Sequence, residues 1–413
     1  MPRHRFALLT SLYAAQGLPY GFFTLVLPAV LREAGWSLTA LSLLHFLALP
    51  WALKFLWAPA VDQRGARRSW LLGLQGVSIG LALALAWADL APGSVALLAA
   101  VLLFNALAAT QDIVTDGLAV RWLAARERGL ANAIQVGAYR LGMVVGGGGL
   151  LWLYAQTSWP VVFTVMAGLL GLTTLPVWRM AEPERPPVSP VSVAPTTGAS
   201  RLHLAWGWLH RAMTPGMLSC AALIFCFRFG DQMVSGVVIP FLRDQGVDKA
   251  SLALMKGGVG SMACLAGAAV SGWWMMRVPR RDALLWTGLA QSLFFGLYIV
   301  VALGGGGLPW LWAATVIEGV VGTMATVALF ALMMDASDPD HAGTDYTILA
   351  SVVVAVGSLG TLAGGLVGDY LGYVWAFGIG AVLSAVGCVA LVRWLDRHPP
   401  HERVAQAWRS VSA

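Results

Sequence analysis

The chain has 413 residues, of which 58% are hydrophobic and only 11% charged, and its mean hydropathy is +0.73. A soluble domain is nearer half apolar and a quarter charged, so a soluble fold is excluded and lipid must solvate most of this surface. The formal charge of +6 does not indicate nucleic acid, because the basic residues are scattered over short loops rather than gathered on one stripe.

Met1 to Phe6 is basic and runs into a long apolar segment without a small-residue cleavage site, which reads as an uncleaved first helix. Apolar segments of spanning length then fall at about 6–31, 37–61, 69–90, 94–123, 131–154, 158–179, 212–241, 250–276, 282–303, 309–336, 344–368 and 372–395. The expected fold is an all-α membrane protein with twelve transmembrane helices in two pseudo-symmetric six-helix bundles. The first bundle takes 1–180 and the second 212–396, with a cytoplasmic linker at 181–211 and a cytoplasmic tail at 397–413. Pro183, Pro186, Pro187, Pro190 and Pro195 give the linker its composition. Placing the N-terminus inside puts roughly nineteen Lys and Arg on the cytoplasmic side and about three outside, so both termini are expected in the cytoplasm. Cys220, Cys226, Cys264 and Cys388 all lie in apolar segments. They show neither a disulfide framework nor metal spacing, so no metal or cofactor is expected.

The chain repeats itself across the linker. Leu31-Arg32-Glu33-Ala34-Gly35 returns as Leu242-Arg243-Asp244-Gln245-Gly246, with Leu41 and Leu43 in step with Leu252 and Leu254. Arg64, Arg67, Arg68, Leu71 and Leu72 match Arg277, Arg280, Arg281, Leu284 and Leu285. A near-constant register with equal topology predicts a parallel six-plus-six repeat about an axis along the membrane normal.

Ionisable groups inside hydrocarbon are costly unless they pair or face water, so they mark a pathway or a binding cavity. Lys54, Asp112, Asp116, Arg140, Arg228, Asp231, Lys256 and Glu318 all lie within apolar segments. Many spans with a few buried charges are the pattern of a polytopic transporter. A membrane sensor would usually bring a soluble output domain, and a membrane enzyme would need a catalytic constellation that the sequence lacks. No phosphate-binding loop is present, and Gly146 to Gly149 sit mid-span, where a glycine run is a packing face. The driving force is therefore expected to be an ion gradient, with protons the simplest choice.

The segment Ala58 to Arg68, APAVDQRGARR, resembles the G-x-x-x-D-x-x-G-R-R/K signature of the major facilitator superfamily. Asp62, Gly65, Arg67 and Arg68 match it, Ala58 replaces its leading Gly, and the copy at Gly272 to Arg281 keeps the arginines without the Asp. The resemblance implies a gating role for Asp62, Arg67 and Arg68. Gln16-Gly-Leu-Pro-Tyr-Gly21, Leu49 to Pro59, Ala109 to Asp116 and Tyr139-Arg-Leu-Gly-Met143 are similar to the branch of muropeptide permeases and acetyl-coenzyme A transporters. Within that branch, the length of the chain most resembles bacterial inner-membrane permeases for ferric siderophores of the rhizobactin and pyochelin kind. That likeness implies proton-coupled import of a ferric siderophore by a monomer in the inner membrane. A muropeptide or another amphiphilic metabolite is the alternative.

Asp112 and Asp116 are four apart, so they share a helix face, and Arg140 lies at about the same depth on the next span. A contact between Arg140 and one of these acids is expected, either as a static pair or as a cavity-facing charge set. Arg228 and Asp231 are three apart and can pair within one helix, with Gln232 beside them. Glu318 has no basic neighbour three or four residues away, which makes it the first candidate for the proton carrier, ahead of Asp112, Asp116 and Asp231. Lys54 is expected to snorkel in preference to pairing with an acid, Lys256 to snorkel, and His45 to be a satisfied core residue. Gln16, Tyr20 and Phe23 flank a break at Gly17-Leu18-Pro19 and are expected to line the cavity. Asn105, Gln111, Gln135, Tyr139 and Tyr346 complete the expected lining.

Overall fold

The computed structural model describes residues 3–34, 44–63, 66–88, 93–123, 125–180, 212–247, 249–398 and 402–409. The expected linker at 181–211 lies outside these residues, as do Gly65 of the motif and Gly35, Leu41 and Leu43 of the repeat. Among the described residues the chain is helical and contains no strand.

Helix α1 (Arg3–Gly21) continues through a π turn (Phe22–Val26) into α2 (Leu27–Glu33). Pro19 has no N–H to return to Ala15, yet the helix does not open at Gly17-Leu18-Pro19 as expected. The irregularity is instead taken up just beyond, as the π turn. The next expected span is not one regular helix. A 3₁₀ turn (Leu44–Ala48) leads into α3 (Leu49–Leu53), a second 3₁₀ turn (Lys54–Leu56) and α4 (Ala58–Gln63). His45 is on the first of these turns, with its side chain outside the described set.

Longer helices follow: α5 (Arg67–Trp87), α6 (Val95–Trp122) and α7 (Ala125–Val144). A π turn (Val145–Gly149) joins α7 to α8 (Leu150–Gln156), and α9 (Trp159–Trp178) comes next. Beyond the linker come α10 (Pro215–Asp244), α11 (Lys249–Leu252), a π turn (Ala253–Val259) and α12 (Gly260–Trp274). Then follow α13 (Arg280–Phe294), α14 (Gly296–Ala302), α15 (Gly307–Ala336), α16 (Ala342–Leu371), α17 (Tyr373–Arg397) and α18 (Glu402–Arg409). Ten helices among the described residues are long and apolar enough to cross a membrane. The runs 3–33 and 44–63 are the helical stretches at the first two expected spans.

Two compact units form. The first contains Met1–Trp122, Ala138–His210 and Asp338–Thr347, and the second Leu123–Gly137, Arg211–Ser337 and Ile348–Ala413. Within the first, α5 packs on α6 and α9, and α1 packs on α6 and α9 around Phe22, Val26, Leu97, Phe163 and Met166. Within the second, α10 lies on α17, and α15 on α12 and α13, with Phe241, Tyr298 and Phe377 at the centre. Trp87, Trp152, Leu172 and Tyr370 point outward, as lipid-facing side chains do.

Small residues let α1 and α7 approach backbone to backbone. A Cβ at Gly17 would collide with the Tyr139 carbonyl, one at Gly142 with the Ala14 carbonyl, and one at Gly146 with that of Leu18. Backbone cannot rotate away as a side chain can. Gly142→Val is therefore expected to cost about 1–3 kcal/mol, seen as an earlier thermal unfolding transition in detergent. A transition unmoved by the valine would mean that the helices separate there without penalty.

The tail helix α18 is part of the second unit. It buries Val404, Ala407 and Trp408. Trp408 Nε1 donates to Asp396 Oδ1 at 2.9 Å, Arg409 donates to the Asp396 carbonyl at 2.6 Å, and Arg281 Nε donates to Asp396 Oδ1 at 2.9 Å. One carboxylate thus ties α13, α17 and α18 together.

Candidate functional site

The first unit holds a buried polar group that α1, the 44–63 run and α6 build together. The 3₁₀ turn at 54–56 brings Lys54 inward, where it is 4% exposed and forms an ion pair with Asp112. Its Nζ also lies 5.7 Å from the centre of the Trp51 ring. Lys54 therefore does not snorkel to the interface. The four-carbon stem reaches across to α6 because an unpaired ammonium in hydrocarbon costs several kcal/mol. One turn further along α6, Asp116 is fully buried and accepts a hydrogen bond from Tyr13 Oη at 2.8 Å. It lies on the same face of α6 as Asp112, one turn away.

The expected lining residues on α1 and α6 join this group. Gln16 Nε2 donates to Thr115 Oγ1 at 3.3 Å, and Gln111 Nε2 donates to the Leu12 carbonyl at 3.1 Å. Asn105 Oδ1 accepts from Trp51 Nε1 at 3.1 Å. Tyr20 stands 6.0 Å from Trp51 and 5.8 Å from Tyr139, and Trp51 stands 6.1 Å from Tyr139, so three rings face one another. Phe23 packs on Tyr20 at 5.9 Å but is itself buried in the core. Tyr346 is buried in this unit near Tyr13.

Arg140 does not make the expected contact. It is half-buried on α7, and no hydrogen bond or ion pair joins it to Asp112, Asp116 or any other described residue. The partner of Asp112 is Lys54, and Arg140 has no bonded partner among the described residues.

The second unit holds two more charge groups. Arg228 pairs with Asp231 at 2.6 Å, as the spacing of three predicts, and also donates to Thr326 Oγ1 at 3.3 Å. Gln232 Nε2 donates to Asp231 Oδ2 at 2.9 Å, and Gln291 of α13 donates to the same carboxylate. Glu318 is not isolated. Lys256 Nζ bonds its Oε2 at 2.8 Å and Tyr298 Oη donates to the same oxygen at 2.5 Å. The reason for giving Glu318 first place as proton carrier is thereby removed, and Lys256 is engaged there rather than snorkelling. Gln135, on α7, is half-buried in this unit.

The motif residues divide. Asp62 pairs with Arg67 and lies 3.4 Å from Arg121, and its Oδ2 accepts from the backbone N–H of Thr344 at 3.2 Å. Arg68 donates to the Trp178 carbonyl at 2.6 Å. The second copy of the motif lacks its own acid, and Arg280 finds one elsewhere. Asp335, at the end of α15, takes Arg280 at 3.1 Å and Arg128 at 2.5 Å, with all three buried. Tyr13, Trp51, Tyr298, Gln291 and Asp335 were not singled out from sequence. Each meets its partner across helices, which the spacing along one helix cannot register. No group of His, Cys, Asp and Glu among the described residues could hold a metal ion.

Comparison with known proteins agrees with this architecture. The family model described as Major Facilitator Superfamily matches residues 9–359 and again 220–412. The anhydromuropeptide permease of Escherichia coli K12 is 31% identical over 378 residues, covering 87% of this chain and 74% of that protein. The putative transporter AmpG 4 of Rickettsia conorii is 25% identical, covering 86% and 88%. Among solved structures, the human organic anion transporter MFSD10 superposes with a TM-score of 0.71 at 16% identity, covering 95% of this chain and all of that one. The proton:xylose symporter XylE superposes with a TM-score of 0.70 at 11% identity, covering 99% and 100%. At these identities the solved structures speak for the fold alone.

Proposed function

We propose that this chain, which belongs to the major facilitator superfamily and is a multi-pass membrane transporter, imports an anhydromuropeptide-like solute together with protons. The observation that carries the reading is a half-buried arginine with no bonded partner among the described residues, on the same helix turn as a ring of the aromatic trio Tyr20, Trp51 and Tyr139. A muropeptide joins amino-sugar rings to a short peptide. Its sugar faces suit aromatic side chains, and its peptide carboxylates suit a guanidinium fork. The Escherichia coli relative is named for anhydromuropeptides and neither curated relative is named for a siderophore, so the ferric-siderophore reading is not carried forward. The basic-residue asymmetry supports a bacterial inner-membrane location with both termini and the 181–211 linker in the cytoplasm. In this reading Asp62, Arg67 and Arg121 gate the pathway, and Arg228, Asp231 and Gln232 line it.

The test is uptake of labelled anhydromuropeptide by proteoliposomes containing the purified protein. Uptake should saturate and be suppressed by the unlabelled compound, but not by ferric pyochelin. Arg140→Ala should lower uptake about 10- to 100-fold, the value of a charge-assisted hydrogen bond, while Arg140→Lys retains part of it. Wild-type uptake by Arg140→Ala would remove Arg140 from the docking site.

A further inference from the structure

The three intramembrane charge groups differ in their balance. Arg228 faces Asp231, and Lys256 faces Glu318, one cation to one carboxylate in each. The group on α6 has two carboxyls one helical turn apart, Asp112 and Asp116, and one cation, Lys54, which is bonded to Asp112. All three of its members are at least nine-tenths buried. Two adjacent carboxylates at that depth cannot both be charged against a single ammonium without a large desolvation and repulsion cost.

We infer that Asp112 and Asp116 together bind one proton, with Lys54 fixing the number at one, and that this is the coupling site. The coupling role rests on the transport reading, whereas the proton itself does not. The titratable groups around the pair are Tyr13 of α1, bonded to Asp116, and Tyr139 of α7, with Tyr346 of α16 near Tyr13 and Arg140 beside Tyr139 in the chain. Tyr13 Oη already donates to Asp116 Oδ1 and so cannot supply the acid proton without losing that bond. The two carboxyls bond Lys54 and Tyr13, and no bond among the described residues joins either to Arg140. Binding adds one O–H bond and lowers the charge of the group from −1 to zero. Release to water on the other side of the membrane restores it. A substrate carboxylate arriving at Arg140 would bring negative charge near the pair and favour the protonated form, which links solute and proton.

Infrared spectroscopy of the unliganded protein in lipid nanodiscs tests this directly, through the carbonyl stretch of a protonated carboxyl near neutral pH. Asp112→Asn and Asp116→Asn should each remove one acid band, since the remaining carboxylate matches Lys54 one to one. Lys54→Gln should add a second band, and Lys54→Arg should leave the single band in place. Wild-type-minus-variant spectra without an acid band for both Asn variants would overturn the site. So would a Lys54→Gln spectrum identical to that of the wild type. In proteoliposomes under a pH gradient, Asp116→Asn should bring the accumulation ratio of anhydromuropeptide down to unity. Accumulation at the wild-type ratio would move coupling elsewhere. If the wild type carries no anhydromuropeptide at all, the substrate assignment fails while the infrared result still decides the proton.

Discussion

Asp335→Ala is expected to be among the most damaging single substitutions in this chain. The change leaves Arg128 and Arg280, both buried, without the carboxylate they share. Removing one member of a buried ionic group costs about 3–5 kcal/mol, because the remaining charge loses its partner without regaining water. The expected result is a large fall in folded yield and an early transition in a detergent thermal melt. Asp335→Asn should be milder, since an amide oxygen still accepts from one guanidinium. An alanine variant that melts with the wild type would show that the end of α15 is held by something other than this acid.

Lys54→Ala should be nearly as severe. It leaves two neighbouring carboxyls at the middle of the first unit with no ammonium, so the folded state must take up a further proton or hold an unbalanced charge. A loss of about 3 kcal/mol is expected. Adding Asp112→Asn to Lys54→Ala should recover part of it, because the acid that lost its partner is gone as well. Folded yield and melting temperature of the single and double variants give the coupling between the two positions. A double variant no better than the single one would mean that the ion pair is incidental to stability.

The sequence located the charges far better than it located their partners. Arg228 and Asp231 were legible because both lie on one helix, where a spacing of three decides the contact. Asp112 and Asp116 were legible as one face of α6 for the same reason. Their cation was misread as Arg140 because a depth count treats every span as a regular helix. The chain between Leu44 and Gln63 alternates 3₁₀ and α turns, which changes both rise and rotation per residue and turns Lys54 inward. Glu318 was taken for a solitary acid because only its own helix was searched. Its partners are 62 and 20 positions away in sequence, on other helices. The second arginine motif was legible from its spacing, matched to Arg64, Arg67 and Arg68. The acid that completes the second arginine motif was not, because Asp335 comes from the far end of a different helix.

The seat of α18 bears on how the protein can be handled in the laboratory. Trp408 and Arg409 both close on Asp396, and that same carboxylate receives Arg281. A purification handle or fluorescent reporter spliced between residues 397 and 409 would compete for a docking position that α13 and α17 also use. Placed after Arg409, or within 181–211, the same handle leaves that position to its native occupant.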